Sequence, residues 1–460
     1  MRVLTRRVVA LTGAMALAGG LAACGSDGEG DGGAVRLTIA MNAIADGKNA
    51  AEADWVEQWV IPEFEAAQAA AGVSVEVSFE PSGVDDEQYK SRLALDLQSG
   101  AGPDIYTLDG IWLGEFAQAG YVEPLAGTGA DRDSWDGWEQ IPDAVQELGT
   151  FEGELYGIPA GTDGRVLFYN RNLFAEAGLP TEWQPTGWDE ILAAGEALAT
   201  LDGVTPIQLN GGSAMGEATT MQGVLPLLAG VGEEIHTADG AWTGATPGVE
   251  RVLGLYADIY GRGLGDPQLQ QETQGRDKSF EEFAANEIGI LVESDYFWRS
   301  VVNPANGVAP MADRDEAVGY ALIPAAEPGS GLRGQDFVST SGGNVRVVNP
   351  ASDQSELAHE LLTFMHSADA FTALVGDDPR ITARTDVNER VLGADPMLAF
   401  VNEQVLPLTS YRPALDVYPR VSVLLQEATA AVIGGTDPAQ AAADYQESLE
   451  GTVDGDDVTP

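Results

Sequence analysis

The sequence predicts an α/β protein built as two lobes. Three observations predict it. Strand-like and helix-like segments alternate from Val35 to Ala119, the pattern of a parallel sheet layered with helices. The chain has 460 residues, long for one domain and sufficient for two. A glycine-rich stretch, Gly157 to Arg165, then breaks the alternation, and helical segments dominate the rest of the chain.

Residues 35–40 alternate apolar and polar and read as the first strand, and residues 42–48 as a polar loop. Residues 54–71 read as a helix with Trp55, Val56, Trp59 and Phe64 on its apolar side and a kink at Pro62. Strands over 73–79 and 104–108 and helices over 85–99 and 111–119 complete the first half. In such sheets a ligand sits beyond the carboxyl ends of the strands, which directs attention to the loops 42–48, 80–86 and 109–112. The second half is predicted to hold helices over 188–200, 220–229, 249–260, 278–285, 355–366, 397–405 and 421–433, with strands over 288–292 and 345–348.

The first 23 residues carry Arg2, Arg6 and Arg7, then an apolar run too short to span a bilayer, then small residues ending in Leu21-Ala22-Ala23 before Cys24. This predicts an export signal over residues 1–23. Cys24 is the chain's one cysteine, and its place after Leu21-Ala22-Ala23 resembles a bacterial lipobox, in which the cysteine becomes an acylated N-terminus. Residues 24–33, rich in glycine and acid, suit a flexible tether. The expected location is extracytoplasmic, lipid-anchored to the outer face of the cell membrane.

The composition narrows the partners. Acidic residues number 72 against 23 basic ones, for a net charge of −49. Such a surface repels nucleic acid and anionic lipid, so no nucleic-acid partner is expected and membrane contact is through the anchor alone. A single cysteine precludes an internal disulfide, and with three histidines, His236, His359 and His366, no metal or cofactor site is indicated.

Four stretches together carry a resemblance. They are Pro103-Asp104-Ile105-Tyr106 with Gly120-Tyr121-Val122-Glu123-Pro124-Leu125; Gly153-Glu154-Leu155-Tyr156-Gly157-Ile158-Pro159 with Leu167-Phe168-Tyr169-Asn170; Pro185-Thr186-Gly187-Trp188-Asp189-Glu190-Ile191; and Phe283-Ala284-Ala285-Asn286-Glu287-Ile288-Gly289-Ile290. In order and spacing the chain resembles the bacterial extracellular solute-binding proteins of the maltose-binding type from about residue 35 to 434. The resemblance implies a type II periplasmic-binding-protein-like fold with a cleft between the lobes and three hinge crossings, expected near 157–163, 335–341 and 378–384. It implies an N-terminal lobe of residues 34–160 and 337–380 and a C-terminal lobe of 161–336 and 381–450. Residues 451–460 are expected to be a disordered tail. It further implies a monomer that captures a carbohydrate, a di- or oligosaccharide ahead of a monosaccharide, and passes it to the permease and ATPase subunits of an ATP-binding-cassette importer.

A sugar site needs carboxylates, amides or guanidiniums for hydroxyls and aromatic rings for C–H faces. The strand-end loops supply Asn42, Glu80, Asp109 and Trp112. By the resemblance, Asp163 stands where the family has a sugar-binding carboxylate and Tyr296 where it has a stacking ring, with Trp298 as a nearby alternative. Gly342 and Gly343 permit close backbone approach, and Arg384 and Arg412 suit hydroxyl pairs or a carboxylate. Asp109 is equally suited to cap the helix after it. A secreted glycosidase is the competing class, since carboxylate pairs are plentiful, but Gly212-Ser213-Ala214-Met215-Gly216 does not centre its serine as a nucleophile elbow requires. Within the binding class, a peptide or polyol remains an alternative solute.

Overall fold

The computed structural model describes residues 34–45, 47, 49–84, 86–237, 239–376, 379–453 and 457–459. Cys24, the export signal and the tether lie outside the described residues, as does Asp378 at the start of the third expected crossing. No helix among the described residues is long and apolar enough to cross a membrane.

The strands that position the cleft are, in chain order, β1 (Val35–Met41), β2 (Val75–Pro81), β3 (Ile105–Asp109), β4 (Ile158–Pro159), β5 (Arg165–Asn170), β6 (Thr205–Gln208), β7 (Ile288–Ser294), β8 (Val318–Ala321), β9 (Ile323–Pro324), β10 (Phe337–Ser341), β11 (Asn344–Val348) and β12 (Thr409–Tyr411). The first lobe holds a sheet in the order β2-β1-β3-β11-β4. Its first three strands are parallel, with helices leading from β1 to β2 and from β2 to β3, whereas β11 runs antiparallel to β3 and β4. The second lobe holds β8-β5-β7-β6, in which β5 runs antiparallel to β7 and β8. Both sheets are therefore mixed rather than parallel throughout. Strands that come after a crossing from the other lobe are not bound by the parallel βαβ rule.

A small third sheet, β9-β10-β12, and the isolated bridge between Gly161 and Thr382 tie the crossing segments together. The glycines here are steric requirements: a Cβ on Gly343 would stand 2.3 Å from the carbonyl oxygen of Gly161, and one on Gly161 would stand 2.6 Å from that of Ile381.

Each lobe has its own core. In the first, Leu37, Ile39, Leu108, Phe116, Val345 and Leu361 are buried together. In the second, β5 is buried on both faces, and the two-residue period of a strand divides its side chains. Leu167 and Tyr169 join a cluster with Tyr256 and Ile290, while Val166 and Phe168 join one with Phe283 and Phe297.

Two local expectations are corrected. The first long helix starts at Ala50 rather than at residue 54 and passes through a π turn over Val56–Val60, just before Pro62, before resuming as Ile61–Ala70. Pro62 has no N–H to donate and its ring crowds the carbonyl four residues back, which disturbs the regular ladder on the side where the π turn lies. The C-terminal tail is not free along its described length. Val458–Thr459 pairs in parallel with Trp242–Thr243, and the Gly244 N–H donates to the Thr459 carbonyl at 3.0 Å. Two β-branched residues thus complete a ladder that composition alone suggested would fray.

Candidate functional site: a charged interlobe cleft

The carboxyl end of β3, the segment after β4 and the end of β7 converge on a cleft of about 400 Å3 between the lobes. Asp109 closes β3 and does two things at once. Its Oδ1 accepts from the Ile111 N–H at 3.2 Å, capping the short helix beyond it, and from Arg412 Nη2 at 3.0 Å. Arg412, just after β12, reaches the other lobe through Nη1, which donates to Glu217 at 3.1 Å. Glu217 also accepts from the hydroxyls of Tyr418 and Ser422, each at 2.6 Å. One guanidinium thus spans the cleft between two carboxylates. Burial works against its charge, yet Asp109 and Glu217 outweigh burial and hold its pKa above the usual arginine value. Burial pushes the Asp109 carboxyl up, and Arg412 pulls it part of the way back.

Asp163 sits at the first crossing. Its Oδ1 accepts from the Gly342 N–H at 2.8 Å and from Arg165, whose Nε donates to Gln222 at 2.8 Å. The Oδ2 atoms of Asp109 and Asp163 accept no hydrogen bond among the described residues. Beyond β7, Asp295 accepts from the Gly164 N–H at 3.0 Å and from Arg299 Nε at 3.1 Å. Its carboxyl is pushed up by burial, against the pull of Arg299. Arg276 forks onto the fully buried Glu293 at 2.7 and 2.8 Å. Tyr296 has both guanidiniums near its ring, Arg299 at 5.5 Å and Arg276 at 6.0 Å from the centroid. A second, smaller groove shares Arg412 and carries Glu147, Glu233 and Glu234.

Of the residues singled out from sequence, Asp109, Asp163, Tyr296, Gly342, Gly343 and Arg412 line this cleft. The Gly342 N–H, however, is already given to Asp163. Five others lie elsewhere. Trp112 is buried in the first lobe's core with the Lys90 ammonium 5.8 Å from its ring. Trp298 is buried in the second lobe, its indole N–H on Asp395 at 3.0 Å and the Arg314 guanidinium 3.9 Å from its ring. Arg384 forks onto its near neighbour Asp386 at 3.0 and 2.8 Å. Asn42 ties its own loop to Val84 and Asp86, and Glu80 lines a small groove beside Tyr89 and Arg92.

Sequence reasoning missed Glu52, Arg165, Glu217, Arg276, Asp295, Arg299, Arg346 and Arg380, all of which line the cleft. A signal existed for two. Arg165 closes the glycine-rich stretch, and Asp295 directly follows β7. The others sit within helices or strands or in segments where nothing local distinguishes them.

The sequence profile of the bacterial extracellular solute-binding protein family matches residues 48–370. A binding protein of Brucella abortus is 24% identical over 409 residues, covering 88% of this chain and 89% of that protein. A mannitol-binding protein of Pseudomonas aeruginosa is 23% identical over 355 residues, covering 74% and 75%. Among solved structures, an ABC transporter solute-binding protein from Thermotoga lettingae, bound with α-D-tagatose, superposes with a TM-score of 0.70. It is 24% identical, with 91% of this chain and 100% of that one covered.

Proposed function

The chain belongs to the bacterial extracellular solute-binding proteins, and from that premise we propose that it captures a small polyhydroxylated solute, a sugar or polyol, in the interlobe cleft. It then presents the closed, loaded form to the permease and ATPase subunits of an ATP-binding-cassette importer. The observation that carries this reading is the pair of carboxylate oxygens, Oδ2 of Asp109 and of Asp163, that line the cleft without a donor among the described residues. A hydroxyl-bearing solute supplies the missing donors, and the guanidiniums that already hold each Oδ1 fix the acceptors in place beforehand. Hinge closure about the three crossings buries the contacts. Relatives that bind mannitol and α-D-tagatose point to the same solute class. Tyr296, its ring already engaged by two arginines, favours a compact sugar or polyol over a stacked oligosaccharide.

We place the protein outside the cytoplasmic membrane, held by lipid on Cys24, a reading supported by the signal-like first 23 residues. Replacing Cys24 by alanine should release it into the medium, and retention of the Cys24→Ala protein on membranes would overturn the anchor.

The function is tested by thermal shift of the protein from Ala34 onward against sugars, polyols, amino acids and short peptides. A solute that binds only the native state raises the melting temperature. A shift with a sugar or polyol supports the reading, and a shift confined to amino acids or peptides overturns it.

A further inference from the structure

Among the described residues six arginines line the cleft, and five of them meet a carboxylate. Arg165 meets Asp163, Arg276 meets Glu293, Arg299 meets Asp295, Arg380 meets Glu52 at 3.3 Å, and Arg412 meets Asp109 and Glu217. Arg346, on β11, has no carboxylate partner among the described residues, yet it is only 1% exposed. Its one side-chain hydrogen bond among them is long, 3.4 Å from Nη1 to Nε2 of His366. That ring donates Nδ1–H to the Leu362 carbonyl at 2.7 Å, so Nε2 is left as a neutral acceptor. One face of the guanidinium lies 4.8 Å from the ring of Trp55, and Nε is buried without a partner among the described residues.

A guanidinium has five donors and no acceptor, and burying one without a counter-ion is costly. Burial pushes Arg346 down to about 10, which still leaves it charged at neutral pH; Glu52 favours that charge and Arg380 opposes it. Glu52 is already engaged with Arg380. A cation in the wall of a binding cleft, short of both hydrogen bonds and counter-charge, is matched when the solute brings an oxyanion.

We propose that the solute carries one oxyanion, a carboxylate or a phosphate, on its polyhydroxylated body, and that Arg346 receives it on the first lobe's side of the cleft. The hydroxyls then lie towards Asp109 and Asp163, whose charges repel the oxyanion and so fix the orientation. This rests on the cleft being the solute site and narrows what enters it.

The test is titration calorimetry on the full chain with matched sets across hexose and pentose stereoisomers. Each neutral sugar or alditol is paired with its uronate, its aldonate and its phosphate. The expected result is at least one anionic member binding ten-fold or more tighter than its neutral parent, with the carboxylate and phosphate arms telling the two oxyanions apart. Arg346→Lys keeps the charge and loses the planar fork. It should weaken the anionic ligand at least ten-fold more than it weakens that ligand's neutral parent, and an equal loss for both would overturn the role given to Arg346. The matched comparison on the unaltered protein stands even if that variant fails to fold. Neutral sugars binding as well as or better than their anionic counterparts, or no anionic member binding, would overturn the inference while the proposed function survives. Binding confined to amino acids or peptides would remove both.

Discussion

Arg412→Met tests whether the cleft is held by charge matching across the lobes. The variant keeps most of the apolar volume and removes the cation that serves Asp109 at 3.0 Å and Glu217 at 3.1 Å. Removing one partner of a fully buried ion pair costs about 3–5 kcal/mol, because the partner left behind stays desolvated and unpaired. Here the carboxylate side chains retain 33% and 31% of their exposure, so water recovers part of that cost. Glu217 also keeps its bonds from Tyr418 and Ser422. The expected loss is therefore roughly 2–4 kcal/mol at neutral pH, between the buried and the surface limits. The pH dependence identifies the cause. Burial already raises the Asp109 carboxyl in the folded state, and Arg412 is the strongest influence pulling it down. Without Arg412 the carboxyl rises further, so the folded variant binds more protons than the unfolded chain between the unfolded and folded pKa values. Its stability must then fall as pH rises through that window and recover as pH falls. Urea unfolding at about pH 5 and about pH 7.5 should show the loss relative to wild type shrinking at the lower pH, and adding Glu217→Gln should restore part of it at the higher. An equal loss at both pH values, or one below about 1 kcal/mol at the higher, would refute the reasoning.

Arg276→Met strands Glu293, whose side chain is fully buried, so unfolding by urea should show a loss of about 3 kcal/mol or more, relieved by adding Glu293→Gln. Gly343→Ala drives a Cβ to 2.3 Å from the Gly161 carbonyl oxygen at the hinge. Urea unfolding should show a loss of about 1–3 kcal/mol, and a neutral result would mean that the crossings are not packed as described. Trp298→Phe removes the bond to Asp395 without touching the cleft. Stability should fall by about 1–2 kcal/mol while calorimetry shows solute affinity unchanged, and a ten-fold loss of affinity would return Trp298 to the site.

The parts of this protein legible in its sequence are those set by local rules. Alternation at 35–40 marks a strand because Leu37 and Ile39 turn inward at a two-residue period while Arg36 stays exposed, and the residues just past a parallel strand's carboxyl end must face whatever lies above the sheet. That rule points to Asp109, and the family's motifs point to Asp163 and Tyr296; all three line the cleft. The same rule applied to Trp112 fails because the helix starting at Gly110 turns that ring back into the first lobe's core. Trp298 fails likewise, in the π turn Phe297–Val301, where its indole packs among the second lobe's buried side chains.

The arginines are opaque for a different reason. Whether a guanidinium belongs to a site depends on which carboxylate it meets, and Arg412 finds its partners 303 and 195 residues away in sequence, whereas Arg384 finds its own two residues on. On a chain with 72 acidic residues the carboxylates are too many for spacing to single out one pair. That abundance gives Arg346 its meaning. Where acid is everywhere available as a counter-ion, a buried cleft arginine that meets none among the described residues is a position at which the solute's own charge completes the site.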